Sequence, residues 1–364
     1  MSMLVRLYKS QLADALQTVA KAVERKASAF YLQAVKLTFG KDYLIMQATN
    51  LERFLTVKVP LEPIGLFVEP KTVYVDGVRF AKFVKELDEE ILFEPKDTEL
   101  VVKSGNTKAK FLVMNDVELP EFPEMFFHTG LHKSVLLDAI EKVSFAISKD
   151  NSNLSCLLIE GRGNYINFVG SDGYRLSIYK HLIEGNDEFK KQFRLHVSGL
   201  AMLKEMLDRD VVDVAVFGST ENMTFIHAFM WELALRNTEG EYPDYEAVIP
   251  SDWTYKAVFY ADDMEKALKK LLVLGKDAIG VEMFVNSREL TLKTQSPDYG
   301  EIEVRMPVVE ASGYEMQIAF NGKYLKQFID NAEGKVEMRL VDAESPMVFE
   351  NGENYMYVLM PMRL

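Results

Sequence analysis

The chain has 364 residues, 48% of them hydrophobic and 27% charged, so it is a folded protein too long for a single hydrophobic core. Its net charge of -13 argues against a simple nucleic-acid-binding protein, because such proteins usually carry a basic face. No stretch approaches the ~18 consecutive apolar residues of a membrane span. The only cysteine, Cys156, excludes an intrachain disulfide and suits a reducing compartment. We therefore expect a soluble, cytoplasmic protein of two or three domains.

The first predicted element is an amphipathic helix that starts at Tyr8 and recurs twice along the chain. The segments "YKSQLADALQTV", "HKSVLLDAIEKV" and "YADDMEKALKKL" each place apolar residues at i, i+3, i+4 and i+7. A short polar residue stands before each apolar stripe, where it is predicted to cap the helix. These predicted caps are Ser10, Ser134 and Asp262.

A second helix repeats independently of the first. Each copy has an apolar residue, a capping residue, a glycine and an amphipathic stretch, as in "VDGVRFAKFVKEL", "VSGLAMLKEML" and "FNGKYLKQFID". The predicted caps are Asp76, Ser198 and Asn321. Both helical segments recur at intervals of roughly 125 residues, which indicates three copies of one structural unit.

The sequence between the predicted helices has the two-residue period of β-strands. Runs such as "AVKLTF", "YLIMQA", "CLLIEG", "YINFVG", "ELTLKT" and "YMYVLM" alternate apolar and polar residues or are short and apolar. Such runs are typical of antiparallel strands with one buried face. The predicted fold is α+β, with two helices packed on antiparallel sheets in each copy.

Two acidic stretches with prolines, residues 117–127 and 240–253, separate the copies as linkers do. They predict domains at residues 1–120, 126–248 and 251–364. The six helical segments carry slightly more Lys and Arg than Asp and Glu, so the acidic excess lies on the rest of the chain. This distribution suits a protein whose helical surface attracts the phosphates of nucleic acid weakly, while the rest of its exterior repels nucleic acid.

Several motifs resemble one family. "SDGYRLS" at residues 171–177 resembles the "TDGHRLA" segment of the bacterial DNA polymerase III beta subunit, the sliding-clamp family. "YPDYEAVIP" from Tyr242 resembles that family's "FPDYRRVIP", "ATNLE" from Ala48 resembles "GTDLE", and the final "MPMRL" matches the family's ending. The motifs occur in the family's order within the threefold repeat.

The resemblance implies three tandem clamp domains and a head-to-tail homodimer that closes into a ring around duplex DNA. Such a ring holds DNA by enclosure, without sequence specificity, and confers processivity on the replicative DNA polymerase. Other implied partners are the clamp loader, repair proteins and further proteins with clamp-binding motifs, while membranes are not partners. The implied function needs no cofactor and no catalysis.

The resemblance also implies a groove that binds partner peptides. Carried over by position, it uses Leu154, Ser171, Gly173, Tyr174, Arg175, Leu176, Pro243, Ala247, Val248, Pro346, Val358, Met360, Pro361 and Met362. Two of these depart from the family pattern. Tyr174 replaces a histidine, and Ala247 stands where a basic residue is common, so an ion pair with an acidic partner residue is not expected there.

Two other surfaces follow from the resemblance. Lys26 and Lys149 are predicted to face DNA. The predicted dimer interface joins a basic edge strand to an acidic one, as electrostatic complementarity requires. Its residues are Arg79, Lys108, Lys110, Phe111, Leu272, Val273, Glu301 and Glu303.

Two rival interpretations of the sequence are an enzyme and a monomeric scaffold. As an enzyme, the chain would need a catalytic or metal cluster, but the spacing of His128 and His132 spans Gly130 in a linker and no other ligands complete a metal site. Asp172 and Gly173 are interpreted as a hairpin turn rather than a catalytic acid. The other rival is a monomeric three-domain scaffold that binds peptides without encircling DNA.

Overall fold

The computed structural model describes residues 3–24, 29–65, 67, 69–115, 117–127, 129–150, 152–183, 192–209, 211–275 and 279–363. In chain order, the first part forms β1 (Val5–Tyr8), α1 (Lys9–Ala20), β2 (Ala34–Phe39), β3 (Tyr43–Thr49), β4 (Arg53–Pro60), β5 (Glu62–Pro63), β6 (Lys71–Asp76), α2 (Gly77–Lys85), β7 (Glu90–Pro95), β8 (Glu99–Ser104) and β9 (Thr107–Leu112). The middle part forms β10 (Thr129–His132), α3 (Lys133–Val143), β11 (Cys156–Arg162), β12 (Tyr165–Ser171), β13 (Arg175–Leu182), β14 (Gln192–His196), α4 (Val197–Arg209), β15 (Val214–Ser219), β16 (Met223–Ala228) and β17 (Trp231–Arg236). The last part forms β18 (Tyr255–Tyr260), α5 (Ala261–Leu271), β19 (Gly280–Val285), β20 (Glu289–Ser296), β21 (Gly300–Pro307), β22 (Glu310–Gly313), β23 (Met316–Asn321), α6 (Gly322–Ile329), β24 (Lys335–Leu340), β25 (Met347–Asn351) and β26 (Tyr355–Leu359).

All six predicted helices are present, and the apolar stripe that predicted each one is its buried face. In α1 the stripe is Leu12, Leu16 and Val19, and in α5 it is Met264, Leu268 and Leu271. The strand predictions are confirmed too, since β2 spans the run "AVKLTF" and β20 contains "ELTLKT". Across the described residues, none of the helices combines the length and the apolar content that a bilayer crossing requires.

Three predicted helix caps are wrong, because α1, α3 and α5 follow a strand directly. Ser10, Ser134 and Asp262 therefore lie inside the first turn. The first helical N–H of each donates instead to a main-chain carbonyl just before a later strand: Lys9 to Glu89 at 2.8 Å, Lys133 to Asp213 at 2.7 Å and Ala261 to Gly334 at 2.8 Å. A distant carbonyl thus replaces the side-chain cap in all three copies.

The caps of the second helix follow the prediction in two of three copies. The Asp76 carboxylate accepts the Arg79 N–H at 2.8 Å, and the Asn321 side chain accepts the Lys323 N–H at 3.0 Å. Ser198 is instead the second residue of α4.

The first compact unit, unit 1, comprises residues 1–134 and 198–237. It contains an eight-stranded antiparallel sheet of order β10-β15-β16-β17-β4-β3-β2-β6 and a five-stranded sheet of order β5-β1-β7-β8-β9. In its core the Phe93 ring packs against two other rings, with centroids 5.8 Å from Phe39 and 6.3 Å from Phe80. The pairing of β17 with β4 joins strands from two sequence repeats in one continuous sheet.

The second compact unit, unit 2, comprises residues 135–197 and 238–364. Its nine-stranded sheet has the order β14-β11-β12-β13-β26-β25-β24-β18-β22, and its four-stranded sheet has the order β21-β20-β19-β23. The pairing of β13 with β26 again joins two sequence repeats. Phe328 stacks on Tyr357 at 5.0 Å in its core. Since the compact units follow the sheets rather than the repeats, the boundaries at 1–120, 126–248 and 251–364 stay a prediction.

Candidate ligand groove

A cavity of about 160 Å³ opens on the surface of unit 2 where the last strand pairs with β13. We call it the groove. It is lined by Leu154, Ser171, Gly173, Arg175, Leu176, Tyr242, Pro243, Asp244, Tyr245, Val248, Val358 and Met360. Nine of these residues belong to the set predicted from the sequence, so the structure brings together residues as far apart in the chain as Leu154 and Met360. The groove is mostly apolar, as binding sites for small ligands and peptide anchors usually are.

The turn between β12 and β13 forms one lip of the groove. The Asp172 carboxylate accepts the N–H groups of Tyr174 at 3.0 Å and Arg175 at 3.2 Å, and the Ser171 hydroxyl donates to the Arg175 carbonyl at 2.8 Å. Gly173 has a φ of +86°, which an L side chain rarely adopts. The interpretation of Asp172 and Gly173 as a turn is therefore confirmed.

The buried side chain of Arg175 holds this lip in place. Its side chain is only 8% exposed, and its Nε donates to Asp172 Oδ2 at 2.9 Å. The two Nη groups donate to the Gln327 side chain and the Phe145 carbonyl, and the guanidinium lies 3.9 Å above the ring of Tyr324. All three guanidinium nitrogens of Arg175 therefore bond within the protein. Its contacts with Gln327 and Tyr324 connect the lip to α6.

Replacing Arg175 should destabilise unit 2 without any ligand present. Arg175→Ala removes the ion pair and leaves Asp172 without its cation, so we expect a loss of about 3 kcal/mol in the free energy of unfolding. Urea denaturation followed by tyrosine fluorescence measures this loss. Arg175→Lys keeps the charge but not the planar fork, so it should recover only part of the stability. Unchanged denaturation of Arg175→Ala would contradict the assigned role.

The apolar end of the chain forms the opposite wall. β26 pairs with both β25 and β13, so its main chain is bonded on two sides. Beyond it, the Met360 N–H donates to the Tyr174 carbonyl at 2.9 Å, Pro361 bridges to Phe320, and the Met362 N–H donates to the Ala319 carbonyl at 2.7 Å. These bonds hold the tail against the sheet and leave the Met360 side chain at the edge of the groove.

The third wall is the segment 242–248, in which sequence analysis missed Tyr242, Asp244 and Tyr245. The Tyr245 hydroxyl donates to Glu160 Oε1 at 2.7 Å and accepts a hydrogen bond from Asn167 at 3.0 Å. Burial raises the pKa of Tyr245 to about 12. Both tyrosines pack on the cluster that contains Leu176 and Val358. The signal was available, because both belong to the same "YPDY" motif as Pro243.

The remaining predicted groove residues lie outside the lining. Tyr174 projects from the turn and is 66% exposed, and Ala247 lies on the exposed side of a short 3-10 turn, Glu246–Val248. Pro361 and Met362 are bonded to β23, and Pro346 comes directly before β25. A longer ligand would have to extend past the cavity to reach them.

The predicted DNA-facing residues are only partly placed. Lys26 lies outside the described residues. Lys149 is exposed, three residues after the 3-10 turn Ser144–Ala146. The structure therefore leaves both roles as predictions.

The predicted interface residues lie on two edge strands, on α2 and in a 3-10 turn. Lys108, Lys110 and Phe111 are on β9, an edge of the five-stranded sheet, and Glu301 and Glu303 are on β21, an edge of the four-stranded sheet. The Phe111 ring packs edge to face on Phe80 and Phe83 at 5.0 and 4.9 Å. Arg79 bonds the Asp76 carboxylate at 2.8 Å, while Leu272 and Val273 belong to a 3-10 turn after α5.

Unit 1 has a larger cavity, of about 370 Å³, between α1, β4, the end of α4 and the β16–β17 turn. None of the predicted functional residues lines it. The described residues contain no group of three or more His, Cys, Asp or Glu side chains that could hold a metal, and His128 lies outside them. Burial raises the pKa of Cys156 to about 11, so its thiol is protonated at neutral pH and not poised as a nucleophile.

Comparison with known proteins agrees with the motifs. Family models described as the N-terminal, central and C-terminal domains of the DNA polymerase III beta subunit match residues 3–124, 130–244 and 246–363. A beta sliding clamp of Pseudomonas putida is 26% identical over 98% of this chain and 99% of its own length. Crystal structures of the beta subunit of Thermotoga maritima (27% identity, TM-score 0.88) and of a Pseudomonas aeruginosa clamp bound to griselimycin (24% identity, TM-score 0.90) each align over all of both chains. The chain, with its three-domain fold, belongs to the DNA polymerase III beta subunit family, the family of the beta sliding clamps.

Proposed function

We propose that two copies of this chain close head to tail into a ring around duplex DNA. The ring tethers the replicative polymerase and so makes it processive. Its groove receives short segments of the polymerase, the clamp loader and repair proteins. In this proposal the chain acts in the cytoplasm as a binding protein, without catalysis or a cofactor, and its domains are the predicted 1–120, 126–248 and 251–364.

The observation that carries this proposal is the pair of unmatched sheet edges. In unit 1 the last strand of the central repeat, β17, pairs with β4, and in unit 2 the last strand of the third repeat, β26, pairs with β13. The last strand of the first repeat is β9, and the third-repeat counterpart of β4 and β13 is β21. Both end their sheets.

Pairing β9 of one copy with β21 of another would complete the pattern. It would join five strands to four, the size of the nine-stranded sheet in unit 2. Exposed edges with unpaired N–H and C=O groups are usually covered or blunted in soluble proteins. A monomeric scaffold would leave both edges open, so this feature favours the ring over that rival.

The charges on the two edges support head-to-tail pairing. β9 carries Lys108 and Lys110, and β21 carries Glu301 and Glu303. Three of these already have partners in their own sheets, since Lys110 pairs with Glu99 at 3.2 Å, Glu301 with Lys293 at 2.9 Å and Glu303 with Arg305 at 3.0 Å. Their contribution across the interface is therefore to orientation more than to affinity.

The groove supports the second part of the proposal. It is apolar, it is bordered by a methionine whose flexible side chain adapts to different ligands, and it lies at the junction where two sequence repeats share a sheet. A relative with 24% identity is known in a complex with griselimycin. We expect this chain to bind griselimycin in the groove.

Enclosure predicts that DNA topology decides retention. After loading, the protein should stay on nicked circular DNA and be lost when the circle is linearised, because a ring slides off a free end. Gel filtration of the DNA before and after cutting measures this. Equal retention on both forms would indicate adhesion to DNA and contradict the ring. In solution, the protein should have about twice the 41.6 kDa mass of one chain.

A further inference from the structure

We propose that the groove selects peptides that carry a lysine or arginine beside their apolar anchor. This inference rests on the proposed function, because it concerns the ligands of the same groove. It follows from the charges around the cavity, where exposed carboxylates outnumber cations.

The segment that forms the third wall of the groove is the source of this charge. We call residues 239–252 the acidic margin. It contains five carboxylates and neither lysine nor arginine: Glu239, Glu241, Asp244, Glu246 and Asp252. All five residues are exposed, and none forms an ion pair with any residue in the part of the chain that the structure describes. One of them, Asp244, lines the cavity itself.

Hydrogen bonds hold the acidic margin beside the groove. Asp244 Oδ1 accepts the Glu246 N–H at 3.2 Å, and the Asn153 amide donates to the Glu241 carbonyl at 2.9 Å. Tyr245 anchors the centre of the segment through its bond to Glu160. These hydrogen bonds hold the main chain at Glu241 and orient the Asp244 carboxylate, without removing the negative charge of either residue.

Cations only partly balance the acidic margin. Arg175 is the only lysine or arginine in the lining of the groove, and it is buried, paired with Asp172 and stacked on Tyr324. On the opposite wall the exposed Arg363 lies three residues beyond Met360. On the margin itself, the Arg194 guanidinium donates to the Gly240 carbonyl. Arg194 and Arg363 are thus two cations against five carboxylates, so the local field favours a positively charged ligand.

The motif that resembles this segment has the opposite charge. At the positions of Glu246 and Ala247, the family segment "FPDYRRVIP" has two arginines. A groove with arginines there attracts acidic ligand residues, whereas Glu246 repels them. The apolar anchor site is retained in this chain, and the charge that surrounds it is reversed.

Selection from a random library tests the preference without assuming a ligand. Phage-displayed heptapeptides are selected on the full-length protein, and binders to a chain that lacks residues 360–364 are discarded. The enriched peptides should contain more Lys and Arg, and fewer Asp and Glu, than the input library. Enriched peptides of neutral or acidic average charge would overturn this inference alone. No enrichment over the truncated chain would overturn the groove proposal and this inference with it.

The affinities of matched peptides for protein variants then show which carboxylates cause the preference. One enriched peptide is compared with a copy in which its lysines and arginines are glutamines. The loss of affinity should be about twofold to fivefold per charge at low salt, and smaller at high salt. Glu246→Gln should reduce this difference, and Glu246→Arg should remove it. Asp298→Asn removes one exposed carboxylate from the β20–β21 turn and is the matched control. An equal effect of Asp298→Asn would assign the preference to net charge and overturn the role of the margin.

Discussion

Deletion of residues 360–364 is expected to abolish the griselimycin binding proposed for the groove and to leave the proposed dimer intact. The deletion removes Met360 from the groove and breaks the bond between its N–H and the Tyr174 carbonyl, which joins the tail to the β12–β13 lip. Anchoring side chains of this kind commonly contribute about 2 kcal/mol or more each to binding. Titration calorimetry measures the loss, and size-exclusion chromatography with light scattering checks the dimer.

A second variant separates loss of the groove from loss of folding. Val248→Glu places a charge at the half-exposed wall of the cavity and leaves the terminal strand intact. It should weaken griselimycin binding by at least tenfold with an unchanged denaturation midpoint, because the carboxylate must be desolvated against an apolar ligand. Unchanged affinity in both variants would show that the ligand binds elsewhere.

Val273→Asp is expected to convert the proposed dimer into a monomer. Val273 is 76% exposed in the single chain, so the substitution should leave the fold intact. In the proposed ring the same side chain is buried at the junction, where an unpaired carboxylate costs about 3 kcal/mol or more, a change of over a hundredfold in the dimer dissociation constant. The variant should also lose retention on nicked circular DNA.

Val211→Asp provides the matched control. Val211 is 84% exposed, lies just after α4, and is not part of the predicted interface. The control should remain a dimer by analytical ultracentrifugation and should be retained on circular DNA. A dimeric Val273→Asp protein, or equal dissociation of both variants, would place the interface elsewhere.

The repeat architecture could be predicted because its signals are local. The periodicity of Leu12, Leu16 and Val19 depends only on residues within one helix, and the same holds for the alternation in β2 and β20. The caps of α1, α3 and α5 could not be predicted in this way. Their partners, such as the Glu89 carbonyl for Lys9, are far along the chain and come into place only when the strands pair.

The prediction of the groove residues was likewise correct where a local motif was sufficient and wrong where long-range packing decides. Motif resemblance identified Leu154, Leu176, Val248 and Met360 as members of one site, and the structure places all four on the groove. It missed Tyr242 and Tyr245, and it included Tyr174 and Met362, which lie outside the lining. Resemblance transfers positions along the chain, whereas membership of a cavity depends on which way each side chain points after the sheet has formed.

By itself the sequence determined the three copies, their six helices and the family, because periodicity, spacing and short motifs are properties of the chain read in order. Only the tertiary structure decided that Arg175 is enclosed by protein partners, that the carboxylates of the acidic margin form no ion pairs among the described residues, and that β9 and β21 end their sheets. These facts depend on long-range strand pairing and burial, which bring distant residues together and determine which charges and edges are left for another molecule.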